Sequence, residues 1–552
     1  MESALSIPEV LDEILQQATS SAQAASAQTC QLWSSHSLKW LWRHMPTFYP
    51  TLELLSPLEM RSGAWEFKSD LSHVDWKRFS QYTGYIHSID YNQSRVFRHR
   101  RSLPSRGIFA EILLYRPASD GSMFPNLTEV NWASNDGKGL LILLLFLVPS
   151  LTCLQITCNG STEDACSKVL SVLEPRGIRL SELWMGLRTP SQAFLDRLAP
   201  VIASQKDLIR VGLPPYTATR EVVKALGQLP LLEDYESWGF AEYQAPLQLG
   251  MDFEWEDGSF SSLKTLAFST SLAVATEIMT SIHQPRLHQL SFETRELCQH
   301  PQLRDLCSSI SNAQSSITTL NLELFAEAVS PGPTRAIPFD AIRPLLQCAA
   351  LTQLRVESDL AMEYGDEDIA TMASAWPNLQ RLALCADPTS RVGLAIGQPL
   401  QSVSKFVQSF CVLEQLSLYI KALTVDVIHE VSSDVREPRL NVLDFGTSPL
   451  PIDSSTPIVL AASLYLSMVL EPQGEIKSGR SISHTRCLQA SMSTTEEYFR
   501  RSAFWTAIAT NIEMIRASTR RLMEENDILL RRNRELQEEL EKMRGQGSCK
   551  ES

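Results

Sequence analysis

The sequence has no close cysteine pair, no long apolar run and no excess of positive charge, and each absence removes a class of protein. Eleven cysteines are scattered singly from Cys30 to Cys549 without a C-x-x-C. Structural zinc and dithiol redox motifs need such pairs, so no metal is expected and the thiols read as free ones in a reducing compartment. The longest greasy run, Leu140 to Val148, is nine residues, about half of what a bilayer helix needs. Residues 1–27 carry acidic and small polar side chains where a secretory leader needs a basic and then an apolar stretch. A net charge of −14 and a pI near 5.3 oppose general affinity for nucleic acid or anionic lipid. Phosphate-loop, zinc-protease, nucleophile-elbow and dinucleotide patterns do not occur. The expectation is a soluble protein of the cytoplasm and/or nucleus, with no membrane or nucleic-acid partner, no cofactor, no catalytic residue and no enzymatic activity.

What is present is a repeat. With 44% hydrophobic residues the chain can build a core, and its leucines recur in the unit L-x-x-L-x-L. That unit occurs as LTEVNW from Leu127, LTCLQI from Leu151, LSELWM from Leu180, LIRVGL from Leu208, LKTLAF from Leu263 and LHQLSF from Leu287. It continues as ITTLNL from Ile317, LTQLRV from Leu351, LQRLAL from Leu379, LEQLSL from Leu413 and LNVLDF from Leu440. Successive starts lie 24 to 34 residues apart, except for one step of 55 from Leu208 to Leu263. That step predicts a degenerate unit near Leu231 followed by an insertion. Helix-like apolar segments such as CSKVLSVL and AFLDRLAPVIA separate the units.

Strand side chains alternate faces, so the last two apolar positions of each unit point to one side, onto the helices. A single strand–helix unit cannot bury that side alone, but a stack shares one core. The fold class predicted is α/β, a leucine-rich-repeat solenoid whose parallel sheet is lined by helices. Asn135 and Asn159 fall at the ninth position of their units, where this repeat pattern carries Asn.

Residues between the inward leucines face the concave side, and Glu182, Glu293, Glu323, Glu357 and Asp444 are among them. Trp184, Arg210, Arg355, Arg381 and Tyr419 are the residue types that anchor protein interfaces and are the candidate target-binding positions. The alternative for any one of them is an ordinary solvated position on a sheet face.

The N-terminal segment carries two helical apolar stripes, Val10, Leu11, Ile14 and Leu15, then Leu32, Trp33, Leu38, Leu41 and Trp42. Pro8 suits a helix start. Pro8, the Ile14-Leu15 pair and Cys30-Gln31-Leu32-Trp33, with Leu41-Trp42-Arg43-His44 and Pro46 behind them, resemble the F-box motif. Together with Phe124-Pro125-Asn126-Leu127 and Val148-Pro149-Ser150-Leu151, they are similar to the F-box/leucine-rich-repeat proteins of mushroom-forming fungi, over roughly residues 7–470. The resemblance implies a substrate-recognition subunit of a Skp–cullin–F-box ubiquitin ligase. Its F-box would dock on a Skp-type adaptor through Pro8, Val10, Leu11, Ile14, Leu15, Leu32, Trp33, Leu41 and Trp42, and its repeats would hold a protein substrate of unknown identity. Residues Ala18 to Gln28 depart from the motif, being small where the family carries larger apolar side chains. A helical cap on the first repeat, in a scaffold or regulator with no ubiquitin link, is the alternative.

The C-terminal stretch shows a heptad. Ile508, Ile515, Leu522, Leu529 and Leu536 fall at d, and Ile512, Thr519, Asn526 and Asn533 at a, the pattern of a coiled coil. The candidate dimerisation residues are Ile508, Ile515, Leu522, Asn526, Leu529, Asn533 and Leu536. Pairing of two copies and a lone helix packed back on the solenoid both fit. Only Arg500 and Arg501 are basic at its start, which argues against a DNA-binding zipper.

The predicted layout is an F-box-like helical segment at 1–50, a connecting region and solenoid cap at 51–126, the solenoid at 127–475 and a Ser/Thr-rich linker at 476–499. A coiled-coil helix at 500–544 and a disordered tail at 545–552 complete it. The basic cluster between Arg95 and Arg106 reads as a solvated loop, and His283 and His288 lack an acidic partner at ligand spacing.

Overall fold

The computed structural model describes residues 7–547 apart from 74–75, 96–102, 118–121, 159–161, 188–189, 215–216, 218, 238–258, 283–285, 297–298, 314–315, 326–335, 389–396, 422–439, 447, 449–455 and 478–491. Asn159, His283, most of the expected insertion at 236–259, most of the basic cluster and most of the Ser/Thr-rich linker therefore lie outside the described residues. The chain divides into two compact units, Met1–Leu287 and His288–Ser552.

The first unit opens with three helices, α1 (Pro8–Gln17), α2 (Ser20–Ser26) and α3 (Gln31–Leu41). A short strand β1 (His44–Met45) and an antiparallel hairpin, β2 (Leu58–Arg61) with β3 (Ala64–Phe67), follow. Then come β4 (Ser88–Asn92), β5 (Glu129–Ser134), β6 (Cys153–Cys158), β7 (Glu182–Gly186), β8 (Arg210–Gly212), β9 (Asp234–Ser237) and β10 (Thr265–Ser269). These strands and β1 form one parallel sheet in the order β1-β4-β5-β6-β7-β8-β9-β10.

The register explains the leucine spacing. Ile89, Val130, Leu154, Leu183, Val211, Tyr235 and Leu266 pair across successive strands, and all are buried. Each such side chain contributes about 1.5–3 kcal/mol by leaving water, and a one-residue slip would turn the whole row to solvent. The row thus holds seven strands in register.

Four of the connecting helices start on polar caps that accept from the first free amides: Asp136 from Gly139 N, Ser191 from Phe194 N, Thr219 from Val222 N and Ser271 from Val274 N. The 55-residue step does contain a further rung, β9. The sheet also begins earlier than residue 127, because β1 and β4 already belong to it. Phe48, Tyr91, Trp132 and Phe146 close that first end, with ring centroids 4.3 Å apart for Tyr91 and Trp132 and 5.5 Å for Phe48 and Trp132.

Asn135, at the ninth position of its unit, is exposed and donates to Ser94 Oγ at 2.9 Å. Buried Gln93 organises this corner instead: its Oε1 accepts from Ser134 Oγ at 2.7 Å and Asn135 N at 2.9 Å, and its Nε2 donates to Asp136 Oδ2 at 2.9 Å.

The second unit contains β11 (Gln289–Thr294), β12 (Thr319–Leu324), β13 (Ile337–Pro338), β14 (Gln353–Ser358), β15 (Met362–Glu363), β16 (Arg381–Leu384), β17 (Gln415–Leu418), β18 (Leu440–Asp444) and β19 (Leu470–Lys477). Its parallel sheet runs β11-β12-β14-β16-β17-β18-β19, and β13 pairs with β15 in a small separate ladder. Leu290, Leu320, Leu354, Leu382, Leu416 and Leu443 form its inward row. Each of the eleven sequence units thus supplies a strand. Trp376 is fully buried behind this sheet and donates to Leu345 O at 3.1 Å, which satisfies its indole N–H. A helix at Thr456–Val469 and the long helix Met492–Gly547 end the unit. No described helix is long and apolar enough to cross a membrane.

Candidate interaction surfaces

Helices α1 and α3 are locked together by one carboxylate. Asp12 accepts from His36 Nδ1 at 2.8 Å, Trp40 Nε1 at 3.1 Å and Lys39 Nζ at 3.3 Å. Burial pushes the Asp12 carboxyl up, but the hydrogen bonds from His36, Trp40 and Lys39 outweigh it and hold the group below its ordinary value. The small residues of α2 form a helix capped by Thr19, and buried Gln23 donates back to Leu15 O at 2.7 Å.

This packing corrects part of the expected adaptor face. Leu11 and Leu15 are buried, because only their half of the α1 stripe turns toward the interior. Val10, Ile14 and Leu32 stay outside at 38%, 42% and 38% exposure, with Ile7 and Pro8 also exposed. Val10 and Ile14 stand four apart on α1, so they share one face. Trp33 and Leu41 are half-buried, and Trp42 packs edge-on against Tyr82 with centroids 4.9 Å apart.

On the face of the first unit's sheet opposite the leucine row, two polar rows cross the strands. Glu129, Cys153, Glu182, Arg210 and Asp234 form one, and Asp90, Asn131, Gln155, Trp184, Gly212 and Glu236 the other. Arg210 lies between Glu182 at 3.3 Å and Asp234 at 3.7 Å, an exposed pair of ion contacts of small energetic worth. Trp184 is half-buried and lies over Gly212, where a side chain would collide with the indole. Burial and the neighbouring Asp234 push the Glu236 carboxyl up. Burial, then Glu182 and Glu129, push the Cys153 thiol to about 12, so it stays protonated and unreactive. Among the described residues the two rows are acidic, with Trp184 as their one aromatic side chain.

The corresponding face of the second unit differs from expectation. Glu293, Glu323 and Glu357 sit side by side near the C-terminal ends of β11, β12 and β14, and all three are buried. Glu357 is 3% exposed and has Arg355 Nε 3.4 Å away, and its Oε2 has no hydrogen-bond partner among the described residues. Burial pushes its carboxyl up to about 8, with the carboxylates of Asp387, Asp444 and Glu323 adding to the rise and Arg355 opposing it. Arg295 reaches Glu293 at 2.7 Å. Tyr419 is also buried, against Gly397, and so is not a surface anchor. Arg381 is exposed and Arg355 half-buried. Alternation places these residues on the face opposite the leucine row, and they are nonetheless buried there. Among the described residues no group of His, Cys, Asp and Glu has the geometry to hold a metal.

The long C-terminal helix divides the predicted dimerisation residues. Ile508 is buried and Ile515 half-buried within the second unit, whereas Leu522, Asn526, Leu529, Asn533 and Leu536 are exposed.

No family model matches the chain, and no curated protein matches it in sequence. Among solved structures it is similar to a crystal structure of the Rad7 and Elc1 complex in yeast, at 14% identity and a TM-score of 0.34, over 86% of this chain and 92% of that one. A likeness at that level assigns neither fold nor function.

Proposed function

We propose that this chain is a non-catalytic substrate receptor of the F-box type. Helices α1 and α3 dock on a Skp-type adaptor of a Skp–cullin–F-box ubiquitin ligase, in the cytoplasm or nucleus, and the concave face holds a protein target. The observation that carries this reading is that Ile7, Val10 and Ile14 at α1, and Leu32 on α3, are apolar and exposed. They sit on helices whose other sides are fixed by Leu11, Leu15 and the Asp12 network. Exposed apolar groups gathered on a rigid element mark a protein-binding face. The acidic rows around Trp184 suit a basic segment of the target, through charge complementarity and a cation over the indole.

A second reading has one observation of its own. Helix α2 is built of Ser, Ala and Gln and offers little apolar area to an adaptor, which suits a scaffold without a ubiquitin link.

Co-precipitation of the full chain with a purified Skp-type adaptor separates the two. On the receptor reading, wild type retains the adaptor, and Val10→Asp and Ile14→Asp lose it without a change in melting temperature. Leu11→Asp serves as the folding control, since it places a charge inside the helical packing. Failure of wild type to retain the adaptor leaves the scaffold.

A further inference from the structure

The helix Met492–Gly547 changes surroundings part-way along. Phe504, Trp505, Ile508 and Ile512 are buried. Trp505 stacks on Phe445 with centroids 4.4 Å apart, and Arg516 Nη2 donates to Leu470 O at 3.2 Å and Glu471 O at 2.6 Å. These contacts make the first half a lid on the end of the second unit's sheet. Past Arg516 the same seven-residue beat continues, but its apolar positions face solvent. Leu522 is 65% exposed, Leu529 63% and Leu536 42%.

We propose that the stretch from Thr519 to Leu536 pairs with the same stretch of a second copy of this chain, as a parallel, in-register, two-stranded coiled coil. This inference is independent of adaptor docking.

The asparagines select that occupant. In a parallel in-register pair each a position faces the a position of the other helix. Asn526 then meets Asn526 of the second copy, Asn533 meets Asn533, and each amide donates to the carbonyl oxygen opposite. In an antiparallel pair, or one shifted by half a heptad, every asparagine faces a leucine and its amide is buried unpaired. Each such loss weakens association by roughly an order of magnitude, and two per helix compound it. A partner helix with an unbroken leucine seam carries the same penalty.

The flanking positions do not oppose self-pairing. Glu525 at g reaches Leu530 at e of the other helix, and Arg532 at g reaches Gln537, so no like charges meet. The anchored first half also removes the usual obstacle for so short a zipper. An isolated helix of this length must nucleate itself, whereas this one grows from a turn already held by Trp505, Ile508 and Arg516.

The test is the mass of the full chain in solution, by light scattering or sedimentation from low to high micromolar concentration. The expected result is a rise with concentration from 61.8 kDa toward twice that value. Leu522→Asp with Leu529→Asp is expected to stay at 61.8 kDa throughout, with the melting temperature that wild type shows at low concentration, because both side chains are exposed in the single chain. Mild oxidation of Asn526→Cys is expected to link the two substituted positions directly, as identified by mass spectrometry of the cross-linked peptide. A wild-type mass that never rises overturns the proposal. So does a dimer that survives the double aspartate change, or a cross-link that never joins like to like.

Discussion

Trp184 owes its place on the polar face of the sheet to Gly212, which lies one strand over and leaves the space the indole fills. Gly212→Ala puts a methyl where the ring's six-membered edge now rests. The indole must swing out or β8 must shift, at a cost of about 1–3 kcal/mol. Urea unfolding of the full chain measures it. Adding Trp184→Ala to the glycine change should recover part of the loss, since the collision then disappears.

Glu357 makes stability fall as pH rises. Below about pH 4.5 its carboxyl is protonated in both folded and unfolded chains and has no effect. Above that value the unfolded carboxyl ionises first, while the buried one keeps its proton up to about 8. Unfolding is thus favoured progressively across that window and levels off above it, by a total on the order of a few kcal/mol. Glu357→Gln removes the titration. Melting temperatures from pH 4.5 to 8 should decline less steeply in the variant, and equal slopes would show that Glu357 is not responsible.

Asp12→Ala should free α1 from α3 while leaving the sheet intact. It deletes the acceptor of three hydrogen bonds, from His36, Trp40 and Lys39. Bonds to a charged group contribute about 1.5–3 kcal/mol each when partly buried. Hydrogen exchange should speed up across Pro8–Gln17 and Gln31–Leu41 and stay unchanged in β5 and β6. Because the Asp12 carboxyl is held below its ordinary value, its contribution is present at neutral pH and is lost as pH falls through the folded value.

Trp505→Ala should loosen the C-terminal end of the second unit. The indole is almost fully buried and stacked on Phe445, and emptying such a site costs about 3–5 kcal/mol. The loss should appear as faster exchange in β18, β19 and the helix Thr456–Val469. Protection of β11 and β12 that falls equally would mean the lid stabilises the unit as a whole.

The rungs were legible because their cause is local. A strand's side chains alternate, and a buried row tolerates no slip, so leucines at fixed offsets announce both the strand and its register. All eleven units became strands for that reason. The strands β1, β4 and β19 were not legible. Their inward residues, Met45, Ile89 and Ile476, stand outside any leucine pattern, and only pairing with a neighbour makes them rungs. Gln93 was missed likewise, since no spacing marks a glutamine that finds its partners in Ser134, Asn135 and Asp136.

By itself the sequence determined which side of the eleven repeat strands turns inward and which residues carry the heptad. Tertiary structure alone decided what became of the side chains turned the other way. Glu293, Glu323, Glu357 and Tyr419 alternate outward like Trp184 and Arg381, yet they are enclosed. The same heptad buries Ile508 and exposes Leu522. Facing is a property of one strand or helix, fixed by backbone period. Burial depends on what distant segments lay across it, and no pattern within one element encodes that.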